Sequence, residues 1–205
     1  MKKMYVFILS VAMILTSFLM SVSAANLTHT VQRGDTMWRI AVKYEVGLSE
    51  IKGANTHIKN PDLIYPGDKL YIPTTDSSVS AYEEEVVRLV NIERSKQGLK
   101  PLANDWQLSR VARYKSQDMK DKGYFSHTSP TYGSPFEMMK NFGVIYKTAG
   151  ENIAGNNNLD DAINSFINSP EHSQNILSNA YNYIGIGLEK SDTYGYVIVL
   201  MFVGK

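Results

Sequence analysis

The 205-residue chain has no cysteine and only four histidines. Without cysteine there is no disulfide, no thiol nucleophile and no lipid-modified N-terminus of the bacterial lipoprotein kind. Charge of one sign is also lacking: the net charge is +1, which argues against a nucleic-acid footprint. Long apolar runs are scarce, and the only one is near the start, Val6 to Met20. What is present is ordinary for a globular protein, 43% apolar and 20% charged, in a length that suits one or two small domains.

Residues 1–24 have the layout of a secretory signal. Lys2 and Lys3 form the charged start, the apolar run follows, and Val22-Ser-Ala24 supplies small residues for cleavage. The alternative is a retained membrane anchor, but the run is short for a span of about 20 residues. An exported chain without cysteine fits a bacterium whose wall lies outside its only membrane.

From Thr28 to Gln32 the residues alternate in a β-prone run, predicting a short strand. Gly34-Asp35 is turn chemistry, and Asp35 or Thr36 can cap a helix. Met37, Ile40, Ala41 and Tyr44 then fall on one helical face, and Gly47 stops it. Ser49 is expected to cap a second short helix holding Ile51 and Ala54. Turns follow at Asn60-Pro-Asp62 and Tyr65-Pro-Gly-Asp68, and Lys69-Leu-Tyr-Ile-Pro73 closes as a strand.

This strand–helix–helix–strand order resembles LysM. So do the phrases Val31-Gln-Arg-Gly-Asp-Thr-Met-Trp38 and Asn60-Pro-Asp-Leu-Ile-Tyr-Pro-Gly67. The resemblance spans 28–73 and implies a βααβ module that binds N-acetylglucosamine glycans, chiefly peptidoglycan or chitin. It implies a shallow groove between two loops: Gly34, Asp35, Thr36 and Met37 on one side, Asn60, Pro61, Asp62, Leu63 and Ile64 on the other. Backbone groups would meet the acetamide, while Met37, Leu63 and Ile64 cover its methyl and the sugar face. Trp38 and Ile40 are expected to build the core. A single shallow groove should bind weakly.

Residues 74–79 are polar and aperiodic, a short linker that predicts relative motion of two domains. Ser80-Ala-Tyr-Glu83 has the spacing of a capping box, opening a helix with Tyr82, Val86, Leu89 and Val90 inward. Asn104 or Asp105 caps the next, with Leu108, Val111, Ala112 and Met119 inward, ending at Gly123. Ser134-Pro135 starts another, with Phe136, Met139 and Phe142 inward. A further helix has Asp160 and Asp161 in its first turn and Ile163, Phe166 and Ile167 on its buried face. Residues 183–188 and 194–203 read as paired strands, a hairpin. Its tyrosines, Tyr181, Tyr183, Tyr194 and Tyr196, suit core and sheet surface, though aromatics also suit sugars.

Three phrases punctuate these elements: Tyr124-Phe-Ser-His-Thr-Ser-Pro130, Ala149-Gly-Glu-Asn-Ile-Ala154 and Ser169-Pro-Glu-His-Ser-Gln-Asn-Ile-Leu177. With Leu89-Val-Asn-Ile-Glu-Arg94, Gly98-Leu-Lys-Pro-Leu102 and Ile184-Gly-Ile-Gly187, they make the stretch 80–205 resemble the CAP superfamily (SCP-like domain) in its bacterial form. That resemblance implies an α/β/α sandwich around a central antiparallel sheet, so the whole chain is expected to be α+β. Animal members place two histidines and two glutamates in one cleft, and several bind a divalent metal there. His127, Glu151 and His172 match three of the four positions. The fourth falls on Ser169, with Glu171 beside it where relatives usually have glycine.

Two imidazoles and a carboxylate could supply three ligands to a metal such as zinc and leave a position for water. The same groups could instead form a hydrogen-bonded cluster that fixes loops, or a catalytic site, although no second carboxylate is assured as a base. Ser126 and Ser129 flank His127, but adjacency does not make a triad. His29 and His57 are expected to be exposed.

Together these features predict an exported, wall-associated protein, with a monomer expected and neither nucleic acid nor, after signal removal, membrane as partner. LysM would hold it to peptidoglycan or another N-acetylglucosamine polymer. The alternatives are a metal-dependent hydrolase using His127, Glu151 and His172, and a structural spore or envelope component.

Overall fold

The computed structural model describes residues 27–205, so the signal sequence expected at 1–24 lies outside the described residues. Strand β1 (Leu27–Thr30) pairs antiparallel with β2 (Lys69–Ile72), and helices α1 (Met37–Lys43) and α2 (Leu48–Ala54) lie between them in sequence. This is the expected βααβ order. Val31, Met37, Ile40, Ala41, Ile51, Leu70 and Ile72 form its core.

Polar groups finish this small module. Thr36 caps α1 by accepting from the Arg39 N–H. Buried Asn55 donates to the Ile51 and Tyr71 carbonyls and accepts from the Tyr71 N–H, so one amide ties α2 to β2. His29 is buried, not exposed as expected. Its ring bridges Asp35 at 2.8 Å and the Tyr44 hydroxyl at 3.0 Å, fixing the first loop. The cap of α2 is Gly47 rather than Ser49, whose hydroxyl donates to Glu50 instead.

Helix α3 (Ser77–Lys96) starts earlier than the capping-box spacing predicts, because Asp76 accepts from the Ser78 N–H and becomes the cap. Glu83 is thereby inside the helix, buried and paired with Arg113 at 2.7 and 2.5 Å. Of the segment expected to be linker, 77–79 belong to α3. The two modules also touch: Arg110 grips the Glu50 carboxylate in two bonds, 2.5 and 2.8 Å, and reaches the Ser49 hydroxyl at 2.9 Å. The expected freedom between the modules is opposed by this contact.

The second module continues with β3 (Ala103–Asn104), α4 (Trp106–Lys122), α5 (Pro135–Asn141), β4 (Thr148–Asn156), α6 (Leu159–Asn168), α7 (Pro170–Ile176), β5 (Tyr183–Ser191) and β6 (Gly195–Gly204). The sheet order is β3-β5-β6-β4, with β4/β6 and β5/β6 antiparallel and the two-residue β3 parallel to β5. Helices α3, α6 and α7 cover the face carrying Ile184, Ile186, Ile198, Leu200 and Phe202. Helices α4 and α5 cover the face carrying Val197, Val199, Met201 and Val203. This is the expected three-layer α/β/α sandwich around a mainly antiparallel sheet.

Two glycines explain how close the layers come. A Cβ on Gly185 would lie 2.3 Å from the backbone of Leu108 and Ser109, and one on Gly187 would lie 2.1 Å from that of Ala112. The Ile184-Gly-Ile-Gly187 phrase is therefore a bare stripe on which α4 rests. On α5 Met139 is buried as expected and Met138 with it, while Phe136 is 49% exposed, against expectation. The helix starts at Pro135, so positions 138 and 139 point down and 136 points out. The inward placement expected of the Ile163 side chain lies outside what is described. Among the described residues no helix is long and apolar enough to cross a membrane.

Candidate functional site

The loop between α4 and α5 carries His127, and two buried charges on α4 hold it. Lys115 Nζ donates to the carbonyls of Ser126 (2.7 Å) and His127 (2.8 Å) and to the Tyr124 hydroxyl (3.3 Å). Asp118, one turn on, accepts from the hydroxyls of Tyr124, Ser129 and Thr131, each at 2.6 Å. Burial opposes the charge on both. It pushes the Lys115 ammonium below its ordinary pKa, whereas the three hydroxyl donors outweigh it at Asp118 and hold that carboxyl low. Burial and the Asp118 carboxylate push the Tyr124 hydroxyl well up. An inward Lys and Asp three residues apart on an apolar helix face is the signal the sequence carries for this support.

Glu151 sits on β4, an edge strand of the sheet. It shares a face with Ile153, which packs on the α4/α5 side. His127 Nδ1 meets Glu151 Oε1 at 2.7 Å, with the imidazole 57% exposed and the carboxylate side chain 1% exposed. Burial raises the Glu151 pKa, against the pull of the His127 hydrogen bond and the Lys115 charge.

His172 comes to the same edge from the other side. Its ring packs edge-on to Phe166 at 5.1 Å, and its carbonyl accepts from Asn152, which faces away from Glu151. Asn175 adds bonds to the Glu151 carbonyl and the Asn152 side chain. Ser169 caps α7 by accepting from the His172 N–H, and Glu171 is exposed in the first turn. Among the described residues, Glu151 Oε2 and His172 Nδ1 are the buried side-chain atoms with no hydrogen-bond partner. Both belong to this edge, and buried polar atoms are normally paired.

In the small module a cleft is lined by Asp35, Thr36 and Met37 on one loop and Pro61, Asp62, Leu63 and Ile64 on the other. Gly34 and Asn60 do not line it. Asp35 is committed to His29 and the Gln32 N–H, and Met37 is buried. Three further residues line the cleft: Trp38, Leu48 and Lys52. Trp38 is 62% exposed, which corrects its expected place in the core, and Leu63 beside it is 52% exposed. A Lys52–Asp62 ion pair at 3.2 Å crosses one end.

Comparison with known proteins follows the same division. The cysteine-rich secretory protein (CAP) family profile matches residues 87–203, and the LysM profile matches 29–73. The chain belongs to the CAP family. It does so without a single cysteine, so the family fold here stands without a disulfide. The CAP region is 56% identical over 130 residues to YkwD of Bacillus subtilis, described only as uncharacterized, covering 63% of this chain and 49% of YkwD. An extracellular SCP-domain protein from Bacillus anthracis is similar in structure, with TM-score 0.58 and 30% identity over 68% of this chain and 47% of that one. The LysM module is 52% identical over 46 residues to SpoIVD-associated factor A of Bacillus subtilis, 22% of this chain and 12% of that protein. The chain thus spans about half the length, or less, of these relatives.

CAP membership raises the question of a metal. Among the described residues no group of three or more His, Asp or Glu side chains is gathered so as to hold an ion. His127 and Glu151 form a pair, His172 stands across the strand edge, and Ser169 spends its oxygen on a helix cap. As arranged, the CAP edge does not present a three-ligand set.

Proposed function

We propose that this CAP protein is exported and held at the bacterial wall by its LysM groove, with the CAP edge presented beside the glycan. The observation that carries this is the cleft between Thr36–Trp38 and Pro61–Ile64. It offers an exposed indole and leucine next to polar loop groups, the usual design for a sugar. The extracellular SCP-domain relative and the signal-like residues 1–24 support an outside location. Tethering raises the local concentration of the CAP domain near the wall.

Co-sedimentation with purified peptidoglycan tests it. Wild type should pellet with the wall, and Leu63→Asp, an exposed substitution, should bind about tenfold more weakly. Undiminished pelleting of that variant would sink the anchor.

A second reading, acid–base hydrolysis at the wall, is favoured by the His127–Glu151 pair. An exposed imidazole oriented by a buried carboxylate is half of such machinery. Release of soluble fragments from peptidoglycan, abolished by His127→Ala, would support it. A spore-envelope setting is favoured by the LysM likeness to the spore coat assembly protein ExsA of Bacillus cereus, 52% identical over 46 residues. A fluorescent fusion followed through sporulation would test that setting.

A further inference from the structure

From the cleft at the end of edge strand β4 we infer that the CAP domain has a saccharide subsite of its own, at Phe125 and Tyr194, separate from the His127–Glu151 pair. A shallow cleft of about 430 Å³ there is lined by Phe125, Gly155, Asn156, Asn157, Thr193 and Tyr194. None of these side chains is charged. Two are aromatic, two are amides and one is a hydroxyl. Such a lining disfavours an ionic ligand, which would find no counter-charge. It suits a neutral polyhydroxylated ring, whose C–H face packs on an aromatic ring while amides and hydroxyls pair with its oxygens.

The aromatic wall is already built. The Phe125 and Tyr194 rings lie 5.5 Å apart at 41°, and Phe125 is 40% exposed. Tyr194 reaches the Gly123 carbonyl at 3.4 Å, which ties the hairpin to the loop that bears Phe125. Gly155 keeps the floor low: a Cβ there would lie 3.3 Å from the Phe125 ring and 3.5 Å from Tyr194.

Position on the strand gives the direction of the ligand. Residues 151, 153 and 155 share one face of β4. Phe125 abuts residue 155, and His127 abuts Glu151. Four residue steps along the strand separate the two contacts, roughly 13 Å at about 3.3 Å each. A short glycan spanning that distance over the 125–127 loop would stack one ring on Phe125 and bring a neighbouring ring to the exposed His127 imidazole. The subsite therefore rests on the wall-glycan reading and gives the CAP edge the same substrate class as the LysM groove.

The experiment is a titration of the full exported chain with N-acetylglucosamine hexamer, read by ¹H–¹⁵N NMR shifts. Two separate patches should move, one around Trp38 and Leu63 and one around Phe125, Asn157 and Thr193. Phe125→Ala should weaken the second patch by about tenfold or more and leave the first unchanged. Asn157→Ala, an exposed substitution, should weaken the second patch in the same direction and decides the matter if Phe125→Ala fails to fold. Shifts confined to the LysM patch, or a second patch that ignores both substitutions, would overturn the subsite. A second patch that persists while the first never moves would instead overturn the LysM anchor.

Discussion

His127 and Glu151 form a hydrogen bond of 2.7 Å that joins a solvent-facing imidazole to a carboxylate with almost no exposure. Burial raises the Glu151 pKa, so the folded state holds that proton to higher pH than the unfolded chain does. Stability from this group is therefore greatest at low pH and declines as pH rises from about 4.5 through the folded value. Glu151→Gln, which cannot ionise, should melt higher than wild type at pH 7. The difference should vanish below pH 4.5, where both side chains are neutral. Thermal melts of chelator-treated protein across pH would show this, and an advantage that persists at low pH would contradict it.

Lys115 is fully buried and spends its protons on two loop carbonyls and a phenol. Lys115→Met keeps the volume and leaves those carbonyls without a donor. The expected cost is about 2–3 kcal/mol. Hydrogen exchange should quicken in 124–133 more than in β5 or β6. Equal exchange across the chain would mean that Lys115 does not hold the loop.

Glycine substitutions separate close approach from helix propensity. Gly187→Ala places a Cβ against the Ala112 backbone and should cost about 3 kcal/mol or prevent folding. Gly53→Ala, in α2 with open space around it, should instead stabilise by about 0.5–1 kcal/mol. Urea unfolding measures both.

The Glu50–Arg110 contact should make the two modules tumble together. Burial works against the Glu50 charge, but the Arg110 and Ser49 hydrogen bonds win and hold its carboxyl below the ordinary 4.5. The contact's stabilisation is present above that value and is lost as pH falls through the lower folded pKa. NMR relaxation should give one rotational correlation time at pH 7 and two in Glu50→Arg. The charge-swapped pair Glu50→Arg/Arg110→Glu should restore one. Two correlation times in wild type at pH 7 would refute the docking.

Much of the architecture was legible locally. The inward faces of α3 and α4, the caps at Asp105 and Ser134 and the β5–β6 hairpin follow from period and turn chemistry, which act within a few residues. Strand β4 was not legible as a strand. Thr148-Ala-Gly-Glu-Asn152 has poor β propensity, and it is a strand because nine residues pair with β6. Trp38 sits among core residues in sequence, but the helix phase turns it out.

The sequence by itself determined two modules in order, their secondary-structure plan and a short set of polar residues worth watching, because periodicity, capping and glycine placement are encoded nearby. Only the tertiary structure decided which of those residues meet. Glu151 joins His127 and not His172 because β4 is an edge strand whose two faces look into different layers. Lys115 and Asp118 hold the histidine loop because α4 is pressed onto the glycine stripe of β5. The Phe125–Tyr194 cleft exists because a loop and a hairpin turn about seventy residues apart in sequence are brought together over Gly155.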